Sequence, residues 1–139
     1  MTQFDQYYGL EIGDCILLPL FETGLTKHFA IYLGRDEYGT EIIIQNLVGV
    51  GVHLSAAAVF FTKASRIARI EKFHGNIYQQ NQLIRRAEAL LGTPYNLLTY
   101  NCEHFANEVR YGKKESSQIA TAILAMSLTL GIMALNNHK

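Results

Sequence analysis

Two β-branched runs near the middle of the chain, HFAIYLG (28–34) and EIIIQNL (41–47), are separated by RDEYGT, six residues of turn composition. Runs of Val, Ile, Tyr and Phe bounded by Gly and Asp read as strands, and so short a connection joins antiparallel neighbours. The pair therefore predicts a β-hairpin. GDCILLPL (13–20) reads as a further strand after a Gly-Asp turn, ending near Pro19, whose missing N–H weakens a ladder. VHLS (52–55) adds a brief extended piece, and ASRIARIEKF (64–73) alternates around Ile67, Ala68, Arg69 and Ile70 as a strand does.

Helical spacing then takes over. Asn76 is a plausible N-cap with Gln79 three residues on, a capping-box pattern. Ile77, Leu83, Ile84, Ala87, Leu90 and Leu91 recur at helical intervals, and Gly92 with Pro94 stops the run. A second helix is expected from near Asn101 to near Gly112, burying Phe105, Val109 and Ala106. No internal repeat interrupts this order. The fold class is α+β: a small antiparallel sheet with helices packed on it, plus a C-terminal apolar helix.

With 139 residues the chain forms one domain with a real core. Twelve basic residues balance twelve acidic ones and no long basic run exists, so nucleic acid is not expected as a partner. Two cysteines, Cys15 and Cys102, cannot build a disulfide framework, and a reducing compartment fits. The opening MTQFDQYYGLEIGDC lacks a basic start and an apolar core, so no export signal is expected. From Ser116 to Asn137, by contrast, 22 residues carry no formal charge. The apolar stretch Ile119–Leu135 would span about 25 Å as a helix, at the lower edge of what crosses a bilayer core. Arg110, Lys113 and Lys114 sit just before it.

The sequence TYNCEHFANEVRYG (99–112) places Cys102 in the first turn of the expected second helix. Unpaired N–H groups and the positive end of the macrodipole favour thiolate over thiol there, and can bind an oxyanion. The plainer reading is a buried cysteine acting as a small hydrophobe.

A thiol nucleophile needs a base. His104 lies about 200° around the helix from Cys102 and is expected to pack or hydrogen-bond within the fold. His74 and His138 fall in loop and tail contexts, and His53 in an uncertain extended segment. His28 opens a strand whose next residues are apolar, where a surface histidine is less expected, although a satisfied core histidine is also consistent. Residues opposite His28 in the hairpin fall around 45 to 47, where Gln45 and Asn46 interrupt an isoleucine run. Strand alternation lets only one of them face His28. Gln45 is favoured, to orient the imidazole without adding charge. No C-x-x-C or H-x-x-x-H spacing exists, so no metal site is expected.

NCEHFANEVRYG resembles the NC box of the lecithin:retinol acyltransferase family, especially its H-Ras-like suppressor branch of phospholipase/acyltransferases. KHFAIYLG is similar to that family's histidine box, IGDCILL to its opening Gly-Asp strand, and LGTPYNLLTYNCEHF to its approach to the cysteine. The resemblance runs from about Gly9 to Lys114. It implies a circularly permuted papain-like, NlpC-type fold, with Cys102 as nucleophile, His28 as base and Gln45 in place of the family's third polar residue, commonly histidine. It implies acyl transfer from a glycerophospholipid through a Cys102 thioester, to water, an amine or an alcohol, with no cofactor. The rival readings are an NlpC-type amidase or peptidase, and a non-catalytic membrane-tethered binding protein that keeps both boxes. The expected domain layout is a catalytic unit over 1–115 and a membrane-anchor helix and tail over 116–139. The basic residues before the apolar stretch put the catalytic unit on the cytoplasmic side of the membrane.

Overall fold

A computed structural model describes residues 3–19, 27–64 and 66–113. In chain order its elements are α1 (Phe4–Tyr8), β1 (Cys15–Pro19), β2 (Lys27–Arg35), β3 (Glu41–Leu47), β4 (Gly51–Ala56), α2 (Ala57–Lys63), β5 (Arg69–Glu71), α3 (Ile77–Ala89) and α4 (Cys102–Tyr111). The five strands form one antiparallel sheet in the order β4-β3-β2-β1-β5. This is the expected α+β arrangement.

The hairpin forms because its turn closes itself. Asp36 Oδ1 accepts the N–H groups of Tyr38 and Thr40, both at 2.9 Å, and Gly39 supplies a positive φ of 81°. The register then runs Arg35↔Glu41 and Gly34↔Ile42, slips by one residue at an irregularity, and continues Tyr32↔Ile43, Ile31↔Ile44, Ala30↔Gln45. That slip fixes which residues of β3 share a face with His28.

Helices cover both faces of the sheet. On one face Cys15, Leu17, Phe29, Ile31, Ile44 and Val52 pack against Leu83 and Ala87 of α3 and Phe105, Ala106 and Val109 of α4. On the other, Ile16, Ala30, Tyr32 and Ile43 pack under Leu10, Ala57 and Phe60. Two covered faces explain why β2 and β3 read as unbroken apolar runs and not as an alternation. Each fully buried Ile or Leu contributes about 1.5–3 kcal/mol of transfer free energy.

Both long helices begin where their caps predict. Asn76 and Gln79 complete a capping box at α3, and the Gly112 αL residue ends α4. Of the six apolar residues spaced along α3 and its exit, only Leu83 and Ala87 are fully buried, while Ile77 is 76% exposed. A helix that meets the sheet and α4 along one narrow line buries only an i, i+4 pair.

Several expectations need correction. The strand expected over 64–73 is confined to Arg69–Glu71, because only these residues ladder with β1. The brief VHLS piece is a six-residue strand. Neither α1 nor α2 was expected; Glu41 on β3 caps α1 by accepting the Phe4 (2.9 Å) and Asp5 (2.7 Å) N–H groups, α2 has no side-chain cap, and Phe4 and Tyr8 stack on Phe61 to join the two helices. Arg110 is not part of a surface basic flank. It is 3% exposed, and its guanidinium donates to the carbonyls of Gly13 (3.0 Å), Glu71 (3.2 Å) and Lys72 (3.1 Å), tying α4 to β5 and the entry of β1. Beside it, the buried Asp14 carboxylate accepts the Phe73 N–H at 2.8 Å and pairs with Lys72. The expected apolar anchor helix over 116–139 lies outside the described residues. Among the described residues, no helix is long and apolar enough to cross a membrane.

Candidate active site

The first turn of α4 is built by the residues on either side of the thiol. Asn101, the N-cap, is extended (φ −86°, ψ −176°), and its side-chain oxygen accepts the N–H groups of Glu103 (2.9 Å) and His104 (3.0 Å). In return His104 Nδ1 accepts the Asn101 N–H at 3.1 Å. The run NCEH is thus a capping box with histidine in the usual Glu or Gln position. His104 is committed to that box, as its helical phase requires. The Cys102 N–H is not among those Asn101 takes.

Behind the cap stands Asn46, fully buried on β3. Its Nδ2 donates to the carbonyls of Tyr100 (3.0 Å) and Asn101 (3.4 Å). Asn46 therefore supports the segment leading into Cys102. Gln45, its neighbour, points to the opposite face of the sheet.

Gln45 pairs with Ala30, two residues along β2 from His28, and reaches the imidazole diagonally. Its Oε1 lies 2.8 Å from His28 Nε2. His28 is buried among the residues of a cavity of about 200 Å³, whose lining includes Leu18, Gln45, Leu47, His53 and Phe60. Burial holds the His28 pKa below the ordinary histidine value of 6.5, against the raising effect of the Gln45 hydrogen bond. His28 rests as neutral imidazole at pH 7.

Cys102 differs from expectation in two respects. The thiol is only 3% exposed, and burial raises its pKa above 9.0 despite the lowering effect of backbone N–H groups of Phe29, Cys102 and Glu103. Desolvation outweighs the helix end, so the resting group is a thiol. Its Sγ also donates to the Lys27 carbonyl at 3.5 Å.

The structure brings His28 and Gln45 together and sets Cys102 against the backbone beside them. By alternation His28 shares its face with Ala30 and Tyr32, under α2, whereas Cys102 packs with Phe29 and Ile31 under α4. Among the described residues no hydrogen bond joins thiol and imidazole; the start of β2 stands between them. Cys15, the other cysteine, is wholly buried with its thiol pushed up to about 12, the mark of a core residue. Both cysteines are free. No group of three metal-ligating side chains occurs among the described residues.

His53, a weak candidate from sequence, is a neighbour of Gln45 in the structure. It lies directly opposite Gln45 on β4, with its Nε2 at 3.5 Å from Gln45 Nε2. The signal for it was period-2 spacing across the turn after β3, legible only once β4 is known to be a full strand.

The described residues form an α+β domain with a buried thiol at a capped helix start and a histidine held by a glutamine on the adjoining sheet. The family described as lecithin retinol acyltransferase matches residues 9–115. The chain is 31% identical to human phospholipase A and acyltransferase 2, over 88% of this chain and 84% of that protein. It is 43% identical to mouse phospholipase A and acyltransferase 3, over 88% and 85%. Human lecithin retinol acyltransferase is 33% identical, over 76% of this chain and 56% of the relative. No solved structure matches the chain. This protein belongs to the lecithin retinol acyltransferase family.

Proposed function

We propose that this protein transfers acyl groups from glycerophospholipids through a thioester on Cys102. The observation that carries the reading is the position of Cys102 as first residue of a capped helix, inside the stretch shared with relatives named phospholipase A and acyltransferase. His28 preceding Cys102 in the chain, with strand and helix adjoining, supports a circularly permuted papain-like domain.

In the first half-reaction His28 Nδ1 takes the thiol proton and the thiolate attacks the ester carbonyl carbon. The Cys102 N–H, at the positive end of α4, stabilises the oxyanion. Collapse breaks the C–O bond to glycerol, and the imidazolium returns its proton to the departing alkoxide. In the second half-reaction water, an amine or an alcohol gives its proton to His28 and attacks the thioester, and the thiol is restored. Gln45 accepts the Nε2 proton of His28 in the resting site, which leaves Nδ1 as the basic atom when the imidazole meets the thiol.

This chemistry requires the imidazole to pass the start of β2 and meet the thiol. That segment is laddered on one side only: Lys27, His28 and Phe29 pair with Pro19, Leu18 and Leu17 of β1, whereas β3 joins β2 from Ala30 onward. Movement there breaks few backbone bonds. The catalytic unit over 1–115 would be held at the cytoplasmic face of a membrane by the apolar segment 116–139, which keeps it beside a bilayer substrate.

One observation favours a second reading. The engagement of the Cys102 thiol by the Lys27 carbonyl, away from the imidazole, suits a non-catalytic binding protein that retains both boxes for structure. Incubation with phosphatidylcholine followed by intact mass measurement separates the two. An acyl-sized increment that maps to Cys102 supports the enzyme. Phospholipid binding without any adduct or hydrolysis overturns it in favour of the binding protein, and cleavage of amides alone would point to a peptidase.

A further inference from the structure

We propose that His53 is a positioning residue that acts through Gln45 to set the tautomer of His28; the inference rests on the reading of His28 as the base. A glutamine cannot choose its own orientation. A half-turn of the amide exchanges Oε1, an acceptor, for Nε2, a double donor, at almost no cost in shape. With NH₂ facing the imidazole, His28 Nε2 would have to accept. Its proton would then sit on Nδ1, the atom that must take the thiol proton. Something has to hold the amide the right way round.

The hydrogen bonds beyond Gln45 do so in one direction. His53 Nδ1 lies 2.9 Å from the Gly51 carbonyl oxygen, which can only accept, so Nδ1 carries the His53 proton. The His53 Nε2 is then a lone-pair acceptor, and it lies 3.5 Å from Gln45 Nε2, which donates to it. The amide oxygen is left facing His28 Nε2 at 2.8 Å. His28 therefore bears its proton on Nε2 and its lone pair on Nδ1. Polarity is passed from one backbone carbonyl to the basic nitrogen through two side chains.

The sheet fixes this chain's geometry. Gln45 and His53 are direct cross-strand partners, so their side chains rise from neighbouring points on one face. Gly51, which supplies the terminal carbonyl, has a φ of 85°, and a Cβ there would come within 2.5 Å of the Thr93 oxygen. The flanking strand is clamped by reciprocal bonds, Val52 N–H to Thr93 O and Gly92 N–H to Val52 O, both 2.9 Å. In effect an amide and an imidazole together occupy the role of a single polar side chain beside the base.

The test uses full-length protein in detergent micelles. In the wild type, long-range proton–nitrogen NMR of the imidazoles should show His28 protonated on Nε2 and His53 on Nδ1; the opposite tautomer at His28 overturns the proposal without reference to activity. His53→Phe keeps an aromatic ring but removes the acceptor. It should shift His28 toward a tautomer mixture and lower kcat by about 10-fold, as loss of an outer-shell orienting partner commonly does, with KM little changed. Gln45→Glu removes the need for orientation because both carboxylate oxygens accept, so in that background His53→Phe should cost less than about 2-fold. Equal losses in the two backgrounds would mean that His53 merely fills space, and would overturn the proposal. If NMR gives the expected tautomers while no variant, nor the wild type, turns over phospholipid, the positioning stands and the acyl-transfer reading fails.

Discussion

Replacement of Asn101 by alanine tests whether the residue before the thiol holds the site in place. The substitution removes acceptance from the Glu103 and His104 N–H groups and the donation from Asn101 Nδ2 to the Leu97 carbonyl at 3.2 Å. Loss of an N-cap costs about 1 kcal/mol, toward 2 at the upper end. Here the cap is buried, so water does not replace it freely, and each stranded donor adds to the penalty. A loss of about 2–3 kcal/mol follows, a large part of the 5–15 kcal/mol that holds a domain of this kind together. Urea denaturation should show the midpoint falling with an unchanged slope, and the melting temperature dropping by roughly 10 °C. Activity toward phospholipid should fall further than stability explains under native conditions, because fraying of the first turn displaces Cys102 and its N–H. Asn101→Ser restores an acceptor without the Leu97 bond, and should recover about half the stability. An alanine variant within about 0.5 kcal/mol of wild type, or a serine variant no better than alanine, would refute the cap argument.

Cys102→Ala should abolish acyl adduct formation and lipid turnover at a stability cost of about 1 kcal/mol, the loss of one small buried atom, whereas Cys15→Ala should lower stability and leave turnover intact; equal turnover by the Cys102 variant sinks the mechanism. Gln45→Ala should slow the reaction roughly 10- to 100-fold, about 1.4–2.7 kcal/mol of barrier, and Gln45→His should retain activity, whereas Asn46→Ala should register chiefly in denaturation as lost support for 100–101. Stability should depend on pH in two windows. His28 has a lowered folded-state pKa, so the unfolded chain binds its proton first and stability falls as pH drops below about 6.5. Cys15 and Cys102 have raised values, so the unfolded chain loses protons first and stability falls above pH 9, by up to about 1.4 kcal/mol per pH unit for each group. Cys15→Ala should flatten the alkaline slope in denaturation curves; an unchanged slope rejects the assignment. Truncation after Lys114 should leave a folded domain that attacks dispersed short-chain phospholipid but no longer sediments with membranes, and unfolding or aggregation of the truncated chain would place the apolar segment in the core.

What the sequence alone determined is local. The β2–β3 boundaries follow from β-branched runs around a turn carrying Asp36 and Gly39, and α3 and α4 begin at asparagines whose caps are satisfied within three residues. Cys102 at a helix start needed no more than that spacing. What tertiary structure decided is everything that depends on which surfaces meet. The slip between Tyr32 and Gly34 set Gln45 across from Ala30 and turned Asn46 to the other face, a choice that pattern reading could only narrow to two residues. α1 and α2 form because the distant Glu41 carboxylate caps α1 and Phe4 and Tyr8 stack on Phe61, and no local signal announces that. Arg110 looked like a flanking cation until β5 and the Gly13 carbonyl surrounded it. The helix end by itself argued for a low thiol pKa; packing α4 against the sheet removed the water, and desolvation reversed the sign. Charge and hydrogen-bonding capacity can be read from a residue's name, but their energetic consequence depends on how much solvent remains, and only the folded arrangement of both faces of the sheet fixes that.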